Sequence, residues 1–240
     1  MSYSEELKKY LIGTEFSNGK AFEWENNSDA LYRDEYFVEK CRNKRIIHLG
    51  CADHIELIDK KIAHNSYLHS KLISISNVCY GIDVNHESIE YLQNKYNIPN
   101  LITFDIVSDP LPKEIKNLKF DYLLIPDVIE HIGNPVIFLA TIKDKLKHNV
   151  NEIILSVPNA FCINNFINAF KGREIINTDH RFWFTPYTLL KIVIDAGYDI
   201  KEMDLMFCEH GKLSRRNLFK RLLISKYFVL RDTLILNIKL

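Results

Sequence analysis

RIIHLGCADH, residues 45–54, decides the fold. A short apolar run ends in Gly50, Cys51 and Ala52 and then enters a helix-period stretch. That pattern reads as a buried parallel strand running into a tight turn of small residues. Outward from it the pattern repeats. VCYGID (78–83) is a second strand, followed by a helix from about Asn85 with Ile89, Leu92 and Tyr96 on one face. NLITFD (100–105), KFDYLLI (119–125) and NEIILSV (151–157) are the third, fourth and fifth strands. Helices open at Asn134-Pro135 and at Thr185-Pro186, each a cap followed by a proline at the first helical position. The second of these stops at Gly197, and another helix carries Ile163, Phe166, Ile167 and Phe170. Residues 51–77 hold two apolar stripes out of phase, which predicts a bend near Asn65-Ser66 or two short helices. A strand at about 198–208 and RDTLILNIKL (231–240) suit an antiparallel hairpin added to the parallel sheet. Residues 1–43 read as one or two helices covering the sheet edge or a ligand.

Composition excludes several classes. The 240 residues are 47% hydrophobic and 26% charged, as in a globular domain. Thirty-one basic residues balance thirty-one acidic ones, which argues against nucleic-acid binding through bulk charge. No stretch approaches the ~20 apolar residues of a membrane span. MSYSEELKKY lacks an apolar signal core. Cys41, Cys51, Cys79, Cys162 and Cys208 are scattered and odd in number, which fits buried thiols in a reducing cytoplasm.

In an open parallel sheet, ligands bind at the carboxyl ends of the strands. Strand one ends in Gly50-Cys51-Ala52, strand two in Asp83, strand three in Asp105, and strand four in Pro126-Asp127-Val128-Ile129-Glu130-His131. Small residues let a backbone approach a ligand. Carboxylates at successive strand ends accept from ribose hydroxyls and from an adenine amino group, so a nucleoside ligand is expected.

Several stretches now identify a resemblance. IIHLGCADH, GIDVNHESIEYL, FDIVSDPLP, FDYLLIPDVIEHIGNP and DHRFWFTPYTLLKIVIDAGYDI resemble the motifs of class I S-adenosylmethionine (SAM)-dependent methyltransferases, from about Lys44 to Leu240. The DVIEH run with the late H-x-F-x-T-P block is similar to the ubiquinone-type and polysaccharide-cluster O-methyltransferases. The resemblance implies an α/β, Rossmann-like, doubly wound seven-stranded sheet with an antiparallel last strand. It implies one domain over 1–240, with 1–43 as a helical cap and 44–240 as the SAM-binding core. Gly50, Cys51 and Ala52 would lie under the methionine part of SAM, with Pro126 also at the cofactor. Asp83 would hold the ribose, Val84 would pack on adenine, and Asp105 with Ile106 would meet the adenine edge. S-adenosyl-L-homocysteine would be the product. The family's glycine motif usually reads acid-x-G-x-G-x-G, and here only Gly50 remains of it, with His48 and His54 at departing positions.

The implied acceptor is a small molecule, or a sugar- or nucleotide-linked precursor of a surface glycan, bound by a monomer or homodimer. His131 is the first candidate base, His180 the second, with Glu130 beside them. Asp127, Glu130 and His131 sit at i, i+3 and i+4 and would share one face of a coiled segment. With His180 they could bind a divalent metal, a pattern similar to the plant small-RNA 2′-O-methyltransferases. A metal-assisted RNA 2′-O-methyltransferase and a non-catalytic SAM-binding regulatory protein are therefore kept as alternatives. A nicotinamide oxidoreductase would want G-x-G-x-x-G, which is missing at Gly50–Ile55. Lys212, Arg215, Arg216, Lys220, Arg221, Lys226 and Arg231 fall in an acid-free stretch, read as a solvated face rather than a phosphate site. Phe182, Trp183, Phe184 and Tyr187, like Phe16, Phe22 and Trp24, fit either an acceptor pocket or a core.

Overall fold

The computed structural model describes residues 3–25, 32–211 and 218–240. Seven strands form one sheet: β1 (Arg45–Leu49), β2 (Val78–Asp83), β3 (Leu101–Thr103), β4 (Phe120–Pro126), β5 (Val150–Pro158), β6 (Met203–Cys208) and β7 (Thr233–Lys239). Their order is β3-β2-β1-β4-β5-β7-β6. Only β7 runs antiparallel to its neighbours, inserted between β5 and β6. The third strand is shorter than its sequence suggests, because the chain turns at Phe104 into the 105–109 turn. The helices are α1 (Glu5–Leu11), α2 (Arg33–Cys41), α3 (Ile55–Ala63), α4 (Leu68–Ile75), α5 (His86–Tyr96), α6 (Lys113–Lys116), α7 (Pro135–Leu146), α8 (Ile163–Phe170), α9 (Pro186–Asp195) and α10 (Leu218–Lys226).

Caps fix several of these ends. Asn85 and Asn134 accept from the N–H groups of Ser88 and Ile137, and Thr185 exchanges a capping box with Thr188. The break between α3 and α4 falls at Asn65, which adopts a left-handed φ of 55°. Alternation along β1 then sorts the core. Ile47 and Leu49 join the face covered by α1, α7 and α9, where Leu123, Ile125, Leu139 and Leu190 are buried. Ile46 points to the other face, with Phe37 and Cys41 of α2 and Leu72 of α4. The N-terminal segment therefore straddles the sheet, α1 packing on α9 and α2 on α4, rather than capping one edge. Each large apolar side chain so buried contributes about 1.5–3 kcal/mol. All five cysteines are buried free thiols.

The basic stretch departs in part from its expected solvated face: Arg221 and Lys226 are exposed, as expected, but two others are not. Lys220 turns inward to Glu209 at 3.0 Å, and Arg231 donates to the Phe207 carbonyl at 2.7 Å. Both find charge or carbonyl partners around the start of β7. Lys212, Arg215 and Arg216 lie outside the described residues. Among the described residues no helix is long and apolar enough to cross a membrane.

Candidate active site

The strand order reverses between β1 and β4, and the residues at their carboxyl ends meet there. Gly50 closes β1 at φ +76°, and a Cβ added to it would collide with Val128 after β4. Glycine thus lets the two strand ends approach. Asp83 ends β2 with its carboxylate nearly buried. It accepts from the Ala52 N–H at 3.0 Å and the Asn85 N–H at 2.9 Å. Each oxygen keeps a further lone pair for a ribose hydroxyl. Burial raises its pKa, against the pull of those N–H groups. Val84, next along the chain, is 67% exposed, an apolar side chain at a strand end with nothing packed over it.

The other expected cofactor residues are placed less simply. Cys51 turns its thiol into the core beside Gly81, and its carbonyl accepts from the Tyr67 hydroxyl at 2.7 Å, so only its backbone borders the turn. Ile106 is buried among core side chains, so its side chain does not face the expected adenine edge. Both oxygens of Asp105 hold the 105–109 turn, from the Val107 N–H at 2.8 Å and the Ser108 hydroxyl at 3.0 Å. Those bonds hold its carboxyl below the usual range. Pro126 is buried as the last residue of β4.

Beyond Pro126 the chain does not coil as one helix. Asp127 takes a left-handed φ of 51°, and only Ile129–His131 forms a 3₁₀ turn. The shared face expected for Asp127, Glu130 and His131 is therefore broken, and Asp127 turns elsewhere. Its carboxylate pairs with the Arg33 guanidinium and accepts from the Ser156 hydroxyl at 2.7 Å. Arg33 is itself buried and also pairs with Asp34 at 3.0 Å. This is a correction to the metal set that included Asp127, because its charge is already compensated.

Glu130, His131 and His180 do come together, with ligand atoms within 4.8 Å of one another. Glu130 is fully buried, and neither carboxyl oxygen has a hydrogen-bond partner. Burial, with the Asp127 charge, pushes its pKa up to about 9. It is thus a neutral acid at neutral pH. The His180 Nε2 stands 4.0 Å from it, while burial and His131 lower the His180 pKa and its Nδ1 has no partner. The His131 Nδ1 lies 3.2 Å from the Asp179 carbonyl. A carbonyl only accepts, so Nδ1 carries the proton and Nε2 presents a lone pair. The two imidazoles pack edge-on at 4.7 Å, and His180 packs edge-on to Trp183 at 6.3 Å.

Trp183 and Asp127 border a cavity of about 560 Å³ at this end of the sheet, with Asn164, Asn168, Arg173 and His210 in its wall. Three partners were not visible as such in the sequence. Asp179 orients His131 through its backbone and holds His54 through its side chain at 3.0 Å. Arg33 fixes Asp127 from 94 residues away. His210 stands 3.6 Å from the same carboxylate. A backbone carbonyl carries no sequence signal. Arg33 and His210 showed none beyond their charge.

No family model and no curated protein matches the sequence. Solved structures do match in fold. The small RNA methyltransferase HEN1 superposes with a TM-score of 0.52 at 15% identity, over 92% of this chain and 27% of that one. This chain thus spans about a quarter of that protein's length. The methyltransferase domain of bacterial CtHen1-CN gives 0.50 at 15% identity over 98% of this chain and 100% of that one. Magnesium protoporphyrin IX methyltransferase from Synechocystis, solved with bound SAH, gives 0.50 at 14% identity over 85% and 78%. The fold is the Rossmann-like fold of the class I SAM-dependent methyltransferases.

Proposed function

We propose that the chain is a SAM-dependent methyltransferase that methylates a hydroxyl of a small polar acceptor, such as a sugar- or nucleotide-linked molecule. One observation carries the reading. The Gly50 turn and the Asp83 carboxylate flank the switch point of the sheet, beside an imidazole with a free nitrogen. The residues fit the cofactor. Asp83 would hold the ribose hydroxyls, Val84 the adenine face and the Ile106 N–H with Asp105 the adenine edge. The Gly50-Cys51-Ala52 backbone and Pro126 would border the methionine part. When bound, SAM supplies an electrophilic methyl group.

The chain's own residues do the rest. His131, with its proton fixed on Nδ1 by the Asp179 carbonyl, takes the acceptor's hydroxyl proton on Nε2. Neutral Glu130 and the uncharged His180 keep the surroundings of that nitrogen free of competing charge. Amides of Asn164 and Asn168 can pair with acceptor hydroxyls, Arg173 can pair with a phosphate, and the Trp183 ring can stack on a planar or sugar face. Calorimetry with SAM tests the reading. Binding is expected, and Asp83→Ala should weaken it by ~1.5–3 kcal/mol. A wild type that does not bind SAM overturns it.

One observation favours a second reading, a metal-assisted RNA 2′-O-methyltransferase. The Glu130 oxygens and the His180 Nδ1 are buried without partners beside His131. Imidazole and carboxylate together suit a divalent cation. Loss of turnover in chelator, with rescue by magnesium, manganese or zinc, would select this reading. Turnover indifferent to chelator would select the metal-free base.

A further inference from the structure

His54 starts α3, but its side chain does not cap it. Ser, Thr, Asp or Asn at that position would bond the first helical turn, whereas the His54 ring makes no cap bond. Its Nε2 instead donates to the Asp179 carboxylate at 3.0 Å, 125 residues away in the chain. A carboxylate only accepts, so that nitrogen carries a proton. The contact joins two halves of the candidate site. On the cofactor side, His54 closely follows Ala52, whose N–H the Asp83 carboxylate accepts at 3.0 Å. On the other side, Asp179 turns its carbonyl to the His131 Nδ1 at 3.2 Å.

The chain around Asp179 is held over the 3₁₀ turn by other contacts too. The Arg181 N–H donates to the Glu130 carbonyl at 2.8 Å, the Asp179 N–H donates to the Asn177 side chain at 3.2 Å, and the His180 ring packs on His131. Those contacts bring the segment to the turn. The Asp179 carbonyl is what meets a ring nitrogen of His131, and His54 fixes Asp179 by its side chain. A neutral imidazole can carry its proton on either nitrogen, and only the form with a bare Nε2 can take a proton there. We propose that His54 is a positioning residue: through Asp179 it ties the cofactor turn to His131 and holds that ring in its Nδ1-protonated form. The tie runs from Asp83 through Ala52, His54 and Asp179 to His131. A ligand gripping Asp83 therefore firms the hold on His131, and the coupling is reciprocal. This deepens the methyltransferase reading and rests on it for the role of His131.

Long-range proton–nitrogen NMR spectra of the histidine rings test it. They are taken on the full chain, in chelator, above the pH range in which imidazole titrates. Loss of one signal in His131→Gln assigns that ring among the nine histidines. The wild type should show His131 protonated on Nδ1. The His54–Asp179 pair is exposed, so its effect is modest. His54→Gly, tolerated at an N-cap, and Asp179→Ala should each shift the tautomer ratio toward the Nε2-protonated form by about threefold to fivefold. His54→Gln keeps a donor near the place of Nε2 and should keep the wild-type ratio. The buried His48 and His69 signals report the fold and should be unchanged in each ligand-free variant. S-adenosyl-L-homocysteine should move the His131 signal in the wild type and much less in His54→Gly. An unchanged His131 signal in both His54→Gly and Asp179→Ala overturns the proposal, as does a wild-type His131 protonated on Nε2. A His54→Gln variant as altered as His54→Gly overturns it as well, because the donor would then not be the cause. Equal ligand shifts in the wild type and His54→Gly would overturn the coupling. A wild type that does not bind S-adenosyl-L-homocysteine would remove the methyltransferase reading, while the tautomer ratios still decide whether His54 holds His131.

Discussion

Glu130 and His131 are adjacent in the chain and opposite in their chemistry. Glu130 is sealed in without a donor, and its folded pKa of about 9 lies above the ordinary 4.5. An acid with a raised pKa contributes stability that is present below about pH 4.5 and is lost as pH climbs toward 9. Glu130→Gln keeps the shape and removes the ionisation. It should therefore raise the stability, and with it the melting temperature, by a free-energy gap that widens from about pH 5 to pH 9 and is about 3 kcal/mol near neutrality. Melting curves across that range check it, and a gap that stays flat would show that Glu130 is ionised throughout. His131 predicts the converse pattern. His131→Ala should lose ~10²–10⁴-fold in turnover and keep its SAM affinity, since the proposed cofactor residues do not include it. Turnover and calorimetry on one preparation separate the two effects.

Two elements carry polar groups where apolar ones would serve. His48 of β1 and His69 of α4 meet inside the core with their Nδ1 atoms 3.1 Å apart, and neither Nε2 has a partner. One Nδ1 must donate and the other accept, so the pair exists only while at least one ring is neutral. Burial lowers both pKa values, that of His69 from 6.5 to about 4. A base with a depressed pKa charges first in the unfolded chain. Stability is then lost as pH falls below about 6.5, by about 3 kcal/mol at pH 4 from His69 alone. Stability should fall less steeply between about pH 6.5 and pH 4 in His69→Phe than in the wild type, and denaturant midpoints against pH would show it. On α2, Arg33 offers a second test. Arg33→Met should cost about 3 kcal/mol by leaving Asp127 uncompensated. Arg33→Met with Asp127→Asn should recover most of that. Chemical unfolding of both variants decides whether the pair is coupled.

At the scale of the molecule, the two N-terminal helices clamp opposite faces of a sheet whose strand order reverses beside Gly50. A ligand that binds only the folded chain raises its melting temperature by mass action. SAM at about a hundred times its dissociation constant should contribute about 2.7 kcal/mol, or roughly 5–10 °C for a chain of this size. NADH should give no shift, because Gly50-Cys51-Ala52 lacks the glycines that admit a pyrophosphate. A thermal-shift comparison of the two ligands checks this. A shift with NADH alone would reverse the assignment of the site.

Much of the fold was legible because its signals are local. The short apolar runs, the Asn-Pro and Thr-Pro caps and the period-two last strand each specify their element within about ten residues. The positions of Gly50 and Asp83 were readable for the same reason: Gly50 follows β1 and Asp83 ends β2, and strand ends define the ligand edge of such a sheet. The tertiary structure decided what depends on distant partners. The spacing of Asp127, Glu130 and His131 suggested one face, but Arg33 and Ser156 draw Asp127 away from the other two. Lys220 looked solvated until Glu209 took its charge. Periodicity in α8 showed which residues share a face, not which way that face points. In the fold Asn164, Asn165, Ile167 and Asn168 line the cavity, and Phe166 and Phe170 face away from it. A sequence records which side chains can pair, and only the folded chain brings together partners tens of residues apart.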